Sequence, residues 1–282
     1  MPDRGQPGAN LRKDRVCAMR NLKSFLVGGS IGTLGGLMGL GGAEYRLPVL
    51  VAVFRFGTLQ AIILNLVISL VIVFFSFIFR TGSIPLETVL SSGFLVLNLL
   101  AGSLIGSYTG AHYASRIKEG ALNYVVMILL VFLSFLVMSE HYFSFSREPL
   151  FADSRLMFST GALAGFFIGV VSSVLGVAGG ELLIPAFMLL YGVEIKLAGS
   201  LALAVSFPTV LVGIMKYRTT AAFKVVHLEK PFLAYMASGS VIGAYGGSLL
   251  LGIVPSSALS LLLGIILLIS AVKIFHSRSK TK

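Results

Sequence analysis

The chain has 282 residues, of which 56% are hydrophobic and only 12% charged, and its mean hydropathy is +0.94. A soluble domain carries roughly 25% charged residues, so this composition excludes an ordinary soluble enzyme and describes an integral membrane protein. The net charge of +11 and the single cysteine, Cys17, bound the rest: basic clusters can serve nucleic acid, whereas one thiol forms no intramolecular disulfide and no thiolate metal site.

Residues 1–23 form a basic tail in which Arg4, Arg12, Lys13, Arg15, Arg20 and Lys23 all precede the first apolar run. Charge in that position orients a membrane protein rather than gripping nucleic acid. A first transmembrane repeat is expected over residues 24–138. It opens with an apolar stretch from Ser24 to Phe54, longer than the ~20 residues of one span and interrupted by glycines. Spans at Thr58–Phe79, Thr88–Ala111 and Ala121–Met138 follow. An outer linker, residues 139–157, mixes charges with aromatics. The second repeat, residues 158–275, has the same plan: an interrupted stretch from Leu156 to Tyr191, spans at Leu197–Met215, Phe232–Leu251 and Ser257–Lys273, and then a short tail at 276–282.

The two halves are copies of one pattern. Gly39-Leu-Gly-Gly-Ala-Glu-Tyr-Arg-Leu-Pro48 recurs as Gly176-Val-Ala-Gly-Gly-Glu-Leu-Leu-Ile-Pro185 at a step of 137 residues. The same step carries Gly28 and Gly32 onto Gly165 and Gly169, and Gly102, Gly106 and Gly110 onto Gly239, Gly243 and Gly247. Glycines four apart put small residues on one helix face for close packing. A repeat of this length in an apolar chain marks a secondary transporter built from two related halves around a shared midplane site.

If each interrupted stretch is a hairpin that enters and leaves on one side, the basic residues sort by face. Arg80, Arg147, Arg155 and Lys196 fall on one side, Arg46 inside a hairpin, and the remaining 17 of the 22 Lys and Arg on the side of the tail. The positive-inside bias makes that side cytoplasmic, with both termini inside. Each half then crosses an odd number of times. The expected fold is an all-α integral membrane protein of two inverted repeats, each a re-entrant hairpin plus three transmembrane helices, about eight membrane segments in all.

The hairpin tips carry the chemistry. Gly41, Gly42, Gly179 and Gly180 break the helix, since glycine costs ~1 kcal/mol in a helix interior and proline ~3 kcal/mol. Pro48 and Pro185 are expected to start the return arms, because proline fits the first helical turn. The free N–H groups near Val49, Leu50, Ala186 and Phe187 would then make an anion seat. Glu44 and Glu181 hold equivalent places; two carboxylates meeting in low dielectric would raise a pKa and suit proton carriage, while the plainer reading has them capping the hairpin helices. Arg46 has Leu183 as its counterpart, so it breaks the symmetry in a way a planar oxyanion can use, or it pairs with Glu44. Asn65, Ser69, Asn98, Ser103, Ser200, Ser206 and Ser240 are polar groups inside spans that line a path or bond a neighbouring carbonyl.

Neither nucleotide-binding signature is present: the phosphate loop is missing, and Gly39-Leu-Gly41 reaches Glu44 where a dinucleotide loop needs glycine. His112, His141, His227 and His276 have no metal-ligand spacing, so no cofactor and no metal are expected.

The duplicated glycine-rich element, Gly39 to Pro48 and Gly176 to Pro185, followed by Gly102-Ser-Leu-Ile-Gly106 and Gly239-Ser-Val-Ile-Gly243, resembles the sulfite exporter TauE/SafE family. The resemblance spans roughly Ser24 to Phe275. It implies a multi-pass carrier of the bacterial inner membrane for small sulfur-containing anions, inorganic or organic, driven by an ion gradient. The expected partners are a small anionic solute, protons and the lipid bilayer, without nucleic acid; a homodimer is an open option. The competing readings are an anion channel on the same architecture and a membrane accessory protein with no solute path.

Overall fold

The computed structural model describes residues 7–113, 153–255, 257–259 and 261–265, together with Ile128, Val131, Ser134, Phe135, Leu268, Ile269 and Val272. Its helices, numbered in chain order, are α1 (Pro7–Met38), α2 (Ala43–Ala52), α3 (Thr58–Arg80), α4 (Leu86–Ser91), α5 (Gly93–Tyr113), α6 (Ser154–Leu175), α7 (Gly180–Tyr191), α8 (Ile195–Tyr217), α9 (Lys224–Leu228) and α10 (Lys230–Leu251). There is no strand among the described residues. Among the described residues four stretches are long and apolar enough to cross a bilayer: Leu59–Arg80, Gly93–Tyr113, Arg155–Leu175 and Ile195–Tyr217. The spans expected at Ala121–Met138 and Ser257–Lys273, and the linker between the halves, lie wholly or largely outside the described residues.

Glycine determines which helices touch. A Cβ on Gly28, Gly32 or Gly36 of α1 would stand 2.3, 2.1 and 2.1 Å from the carbonyl oxygens of Met236, Ser240 and Ala244 on α10. Residue numbers rise together along this seam, so α1 and α10 run parallel with their backbones in contact, as small residues allow. From the other side, Gly239, Gly243 and Gly247 seat the carbonyls of Phe25, Gly29 and Thr33. The seam between α5 and α6 repeats this contact for contact at the 137-residue step: Gly165 meets Leu99, Gly169 meets Ser103, and Gly102, Gly106 and Gly110 meet Ala162, Phe166 and Val170. Each half therefore lends its first helix to the last described helix of the other.

Both interrupted stretches fold back on themselves. Gly42 packs on Ile31, and the end of α2 brings Phe54 to 4.8 Å from Phe232, whose ring also lies 5.5 Å from the Arg20 guanidinium of α1. In the second half the Tyr191 hydroxyl, at the end of α7, reaches Gly161 near the start of α6 and accepts a bond from Asn98 at 2.8 Å. Between these hairpins lie α3 and α8, which correspond under the repeat. Phe74 stacks near Phe207 at 5.7 Å while Arg80 reaches Ser200 and Lys196, so residue numbers fall along one helix as they rise along the other. The two central helices are antiparallel.

Two expectations need correction. The return arms do not begin at proline: α2 and α7 start at Ala43 and Gly180, and Pro48 and Pro185 are internal. Gly39, Gly41 and Gly42 (φ 80°, 77° and 66°) and Gly176 and Gly179 (φ 67° and 78°) take left-handed conformations that reverse the chain within four residues. The next helix can therefore start at once. Proline is tolerated because the carbonyls to which it cannot donate, those of Glu44 and Glu181, belong to the first turn, where distortion is absorbed. The second correction is that the span expected at Thr88–Ala111 is divided at Ser92 into α4 and α5.

Candidate functional site

The two glycine turns meet. A Cβ on Gly41 would stand 3.4 Å from that of Ala178, its counterpart in the repeat, and one on Gly180 would stand 2.8 Å from Leu40 Cα. Each turn also lies against the central helix of the opposite half, Gly39 on Gly199 of α8 and Gly176 on Ile62 of α3. These approaches leave no room for side chains, which is why the turns are glycine.

Polar groups gather on either side of this junction, and they do not obey the repeat. Arg46, fully buried on α2, donates from Nε to Asn65 Oδ1 and from Nη2 to Ser69 Oγ, both at 2.7 Å. Asn65 in turn donates to the carbonyls of Ala43 at 2.9 Å and Gly176 at 2.6 Å, so one amide ties the start of α2 to the turn of the other half. The counterparts of Arg46 and Asn65 are Leu183 and Ala202. Arg80 forms the second centre. Its Nε donates to Ser200 Oγ at 3.1 Å, Nη1 to the carbonyls of Gly36 (3.1 Å) and Leu37 (2.8 Å), and Nη2 to that of Lys196 (2.7 Å).

Arg80 overturns an expectation. The sorting of basic residues puts it on the face opposite the tail, yet only 1% of it is exposed. Hydropathy misplaced it because it ends an apolar run, where a charge normally reaches the interface; the tertiary contacts with α1 and α8 enclose it instead. A sequence signal did exist. Its counterpart at the 137-residue step is Tyr217, also buried, whose hydroxyl donates to the Ser173 carbonyl at 3.0 Å, and Ser173 is the counterpart of Gly36.

Of the other expected site residues, Gly41 and Gly42 form the first turn, with Gly42 as the N-cap of α2, and Gly179 caps α7 against Ile168 and Ser172. Glu181 is buried in the first turn of α7 with 7% exposure. The backbones of Glu44 and Pro48 belong to α2, while their side chains are outside the described residues. Ser200 accepts from Arg80, which joins α8 to the end of α3. The anion seat expected near Val49, Leu50, Ala186 and Phe187 does not form, since these follow the helix starts by six or seven positions; Leu50 and Phe187 are fully buried in packing. The first turns run instead from Ala43 and from Gly180, each behind a glycine N-cap that offers no side-chain hydrogen bond. A groove of about 380 Å³ lies between α1 and α2, lined by Leu26, Val27, Ser30, Ile31, Tyr45 and Val49, and is apolar. Among the described residues no cluster of metal ligands occurs.

The chain matches the family model described as sulfite exporter TauE/SafE over residues 5–138 and 143–282. It belongs to the TauE/SafE family. This TauE/SafE chain is thus a multi-pass membrane transport protein, in keeping with the four bilayer-length apolar helices among its described residues. No match was found among curated proteins or among solved structures.

Proposed function

We propose that the protein is a secondary transporter that moves a small sulfur-containing anion, inorganic or organic, across the cytoplasmic membrane by alternating access between two inverted halves. The observation that carries this reading is the junction of the glycine turns flanked by two buried guanidiniums, Arg46 and Arg80. A buried cation is expensive in a membrane and by default marks an ion path. Arginine also suits planar and tetrahedral oxyanions because its donors form a fork. The antiparallel contact of α3 with α8, which correspond under the repeat, supports an axis across these helices and hence inversion. The returning hairpins support entry and exit on one face, and the distribution of Lys and Arg supports both termini on the cytoplasmic side.

In this mechanism the small-residue seams bind α1 to α10 and α5 to α6, and each pair shifts as a unit; across the second seam Ser107 and Ser173 also share a hydrogen bond at 2.7 Å. The solute binds where Arg46 is held by Asn65 and Ser69, and the turns open alternately around it. Glu181, buried at the junction, is the proton carrier together with Glu44.

The test is uptake of labelled sulfite, thiosulfate and a small alkanesulfonate into proteoliposomes, with and without a pH gradient. Saturable flux, accelerated by the gradient, is expected. Arg46→Gln lowers it by about tenfold or more, the loss of a charge-assisted hydrogen bond. Glu181→Gln abolishes the gradient effect while leaving solute exchange. Absence of flux for every anion, or unsaturable conductance at channel rates, refutes the proposal.

A further inference from the structure

Among the described residues the Arg80 guanidinium is enclosed by neutral oxygens. Its partners are three backbone carbonyls and one serine hydroxyl, and among the described residues no carboxylate stands within ion-pair distance. The fold makes room for it deliberately: a Cβ on Gly199 would stand 2.6 Å from Nη2 and 2.7 Å from the Met38 carbonyl, so the slot exists only with glycine there. A buried cation without a counter-ion is the most expensive way to join two helices.

The molecule itself shows that the charge is unnecessary for that join. At the equivalent place in the other half, Tyr217 closes on the Ser173 carbonyl through one neutral hydroxyl. The same structural task is done once by a phenol and once by a guanidinium. The difference between the two positions is a positive charge awaiting a negative one. Arg80 is also distinct from the Arg46 centre, since it lies 11 residues beyond Ser69 on α3, about 16 Å along a straight helix.

We propose that Arg80 and Ser200 form a second anion-binding station, at which an oxyanion displaces the Gly36 and Leu37 carbonyls from the guanidinium and so unlatches the end of α1 from α3. An anion competes well for these donors because charge-assisted bonds are roughly twice as strong as those to neutral carbonyls. Releasing α1 at Gly36 and Leu37 frees the turn that begins at Gly39, so occupancy of the station is coupled to opening of the junction. The occupant is an oxyanion small enough for a glycine-lined slot, with at least two oxygens to bridge Arg80 and Ser200. This inference rests on the transport reading for the identity of the anion, but its test is separate.

The experiment measures hydrogen exchange of the segment spanning residues 33–42 in the purified full-length protein, with sulfite as the probe and potassium chloride at equal ionic strength as the control. Sulfite should speed exchange in the wild type, because the carbonyl tie is lost, and chloride should not. Sulfite affinity is expected to fall about 100-fold in Arg80→Gln and about tenfold in Arg80→Lys, which keeps the charge and loses the fork. Tyr217→Phe should leave the affinity unchanged. If sulfite is transported but neither speeds exchange in the wild type nor depends on Arg80, this inference is overturned and the transport reading stands. If no anion is bound or moved by the wild type, both fall. Should Arg80→Gln fail to fold, Arg80→Lys and the wild-type exchange response decide the matter.

Discussion

Asn65 is the residue on which the junction of the two halves depends most, and Asn65→Leu is the sharpest test of that. The replacement keeps the fork at Cγ, with bulkier methyl tips, and removes every side-chain hydrogen bond: acceptance from Arg46 Nε at 2.7 Å, donation to the Gly176 carbonyl at 2.6 Å and donation to the Ala43 carbonyl at 2.9 Å. The Ala43 oxygen opens a helix and keeps the amide four residues on, so its loss counts least. The Arg46 Nε donor and the Gly176 oxygen are left dry, and a buried unsatisfied group costs about 1–3 kcal/mol, more when charged. The expected destabilisation is therefore about 4 kcal/mol. Ser69→Ala removes one bond to Arg46 Nη2 and should destabilise by about 1–2 kcal/mol. Reversible unfolding in mixed micelles, titrated with a denaturing detergent, measures both. If Asn65→Leu lies within about 1 kcal/mol of the wild type, or is no worse than Ser69→Ala, the claim that this amide ties the two turns is wrong.

Adjacent glycines give a second check. At Gly247 a methyl would stand 2.1 Å from the Thr33 carbonyl, whereas at Gly246 nothing lies within 4 Å. Gly247→Ala should destabilise by about 1–3 kcal/mol through overpacking of α1 on α10, while Gly246→Ala should be neutral or stabilising by up to about 1 kcal/mol; equal effects in the same unfolding assay would remove the seam from the argument. Tyr217→Phe deletes a single buried bond to the Ser173 carbonyl and should destabilise by only about 1 kcal/mol, which thermal melting against the wild type will show.

The sequence by itself determined that this is a helical membrane protein in two related halves, because apolar runs and the 137-residue step follow from one-dimensional spacing. It also located the helix breaks at Gly39–Gly42 and Gly176–Gly179, since glycine takes left-handed turns without steric cost. It singled out Arg46, Asn65 and Ser200 as polar groups out of place in apolar spans. Tertiary structure alone decided which groups meet. The exchange of helices between halves brings Asn65 to the Gly176 carbonyl, 111 residues away, and Arg80 to Ser200, 120 residues away. Local propensity also failed at the prolines: read by itself, Pro48 or Pro185 should begin a helix, but the preceding glycines had already reversed the chain. Arg80 is the clearest case, since hydropathy assigns a charge at the end of a span to water. Burial of a charge is decided by what packs over it, and here that is the end of α1 on one side and the slot left by Gly199 on the other.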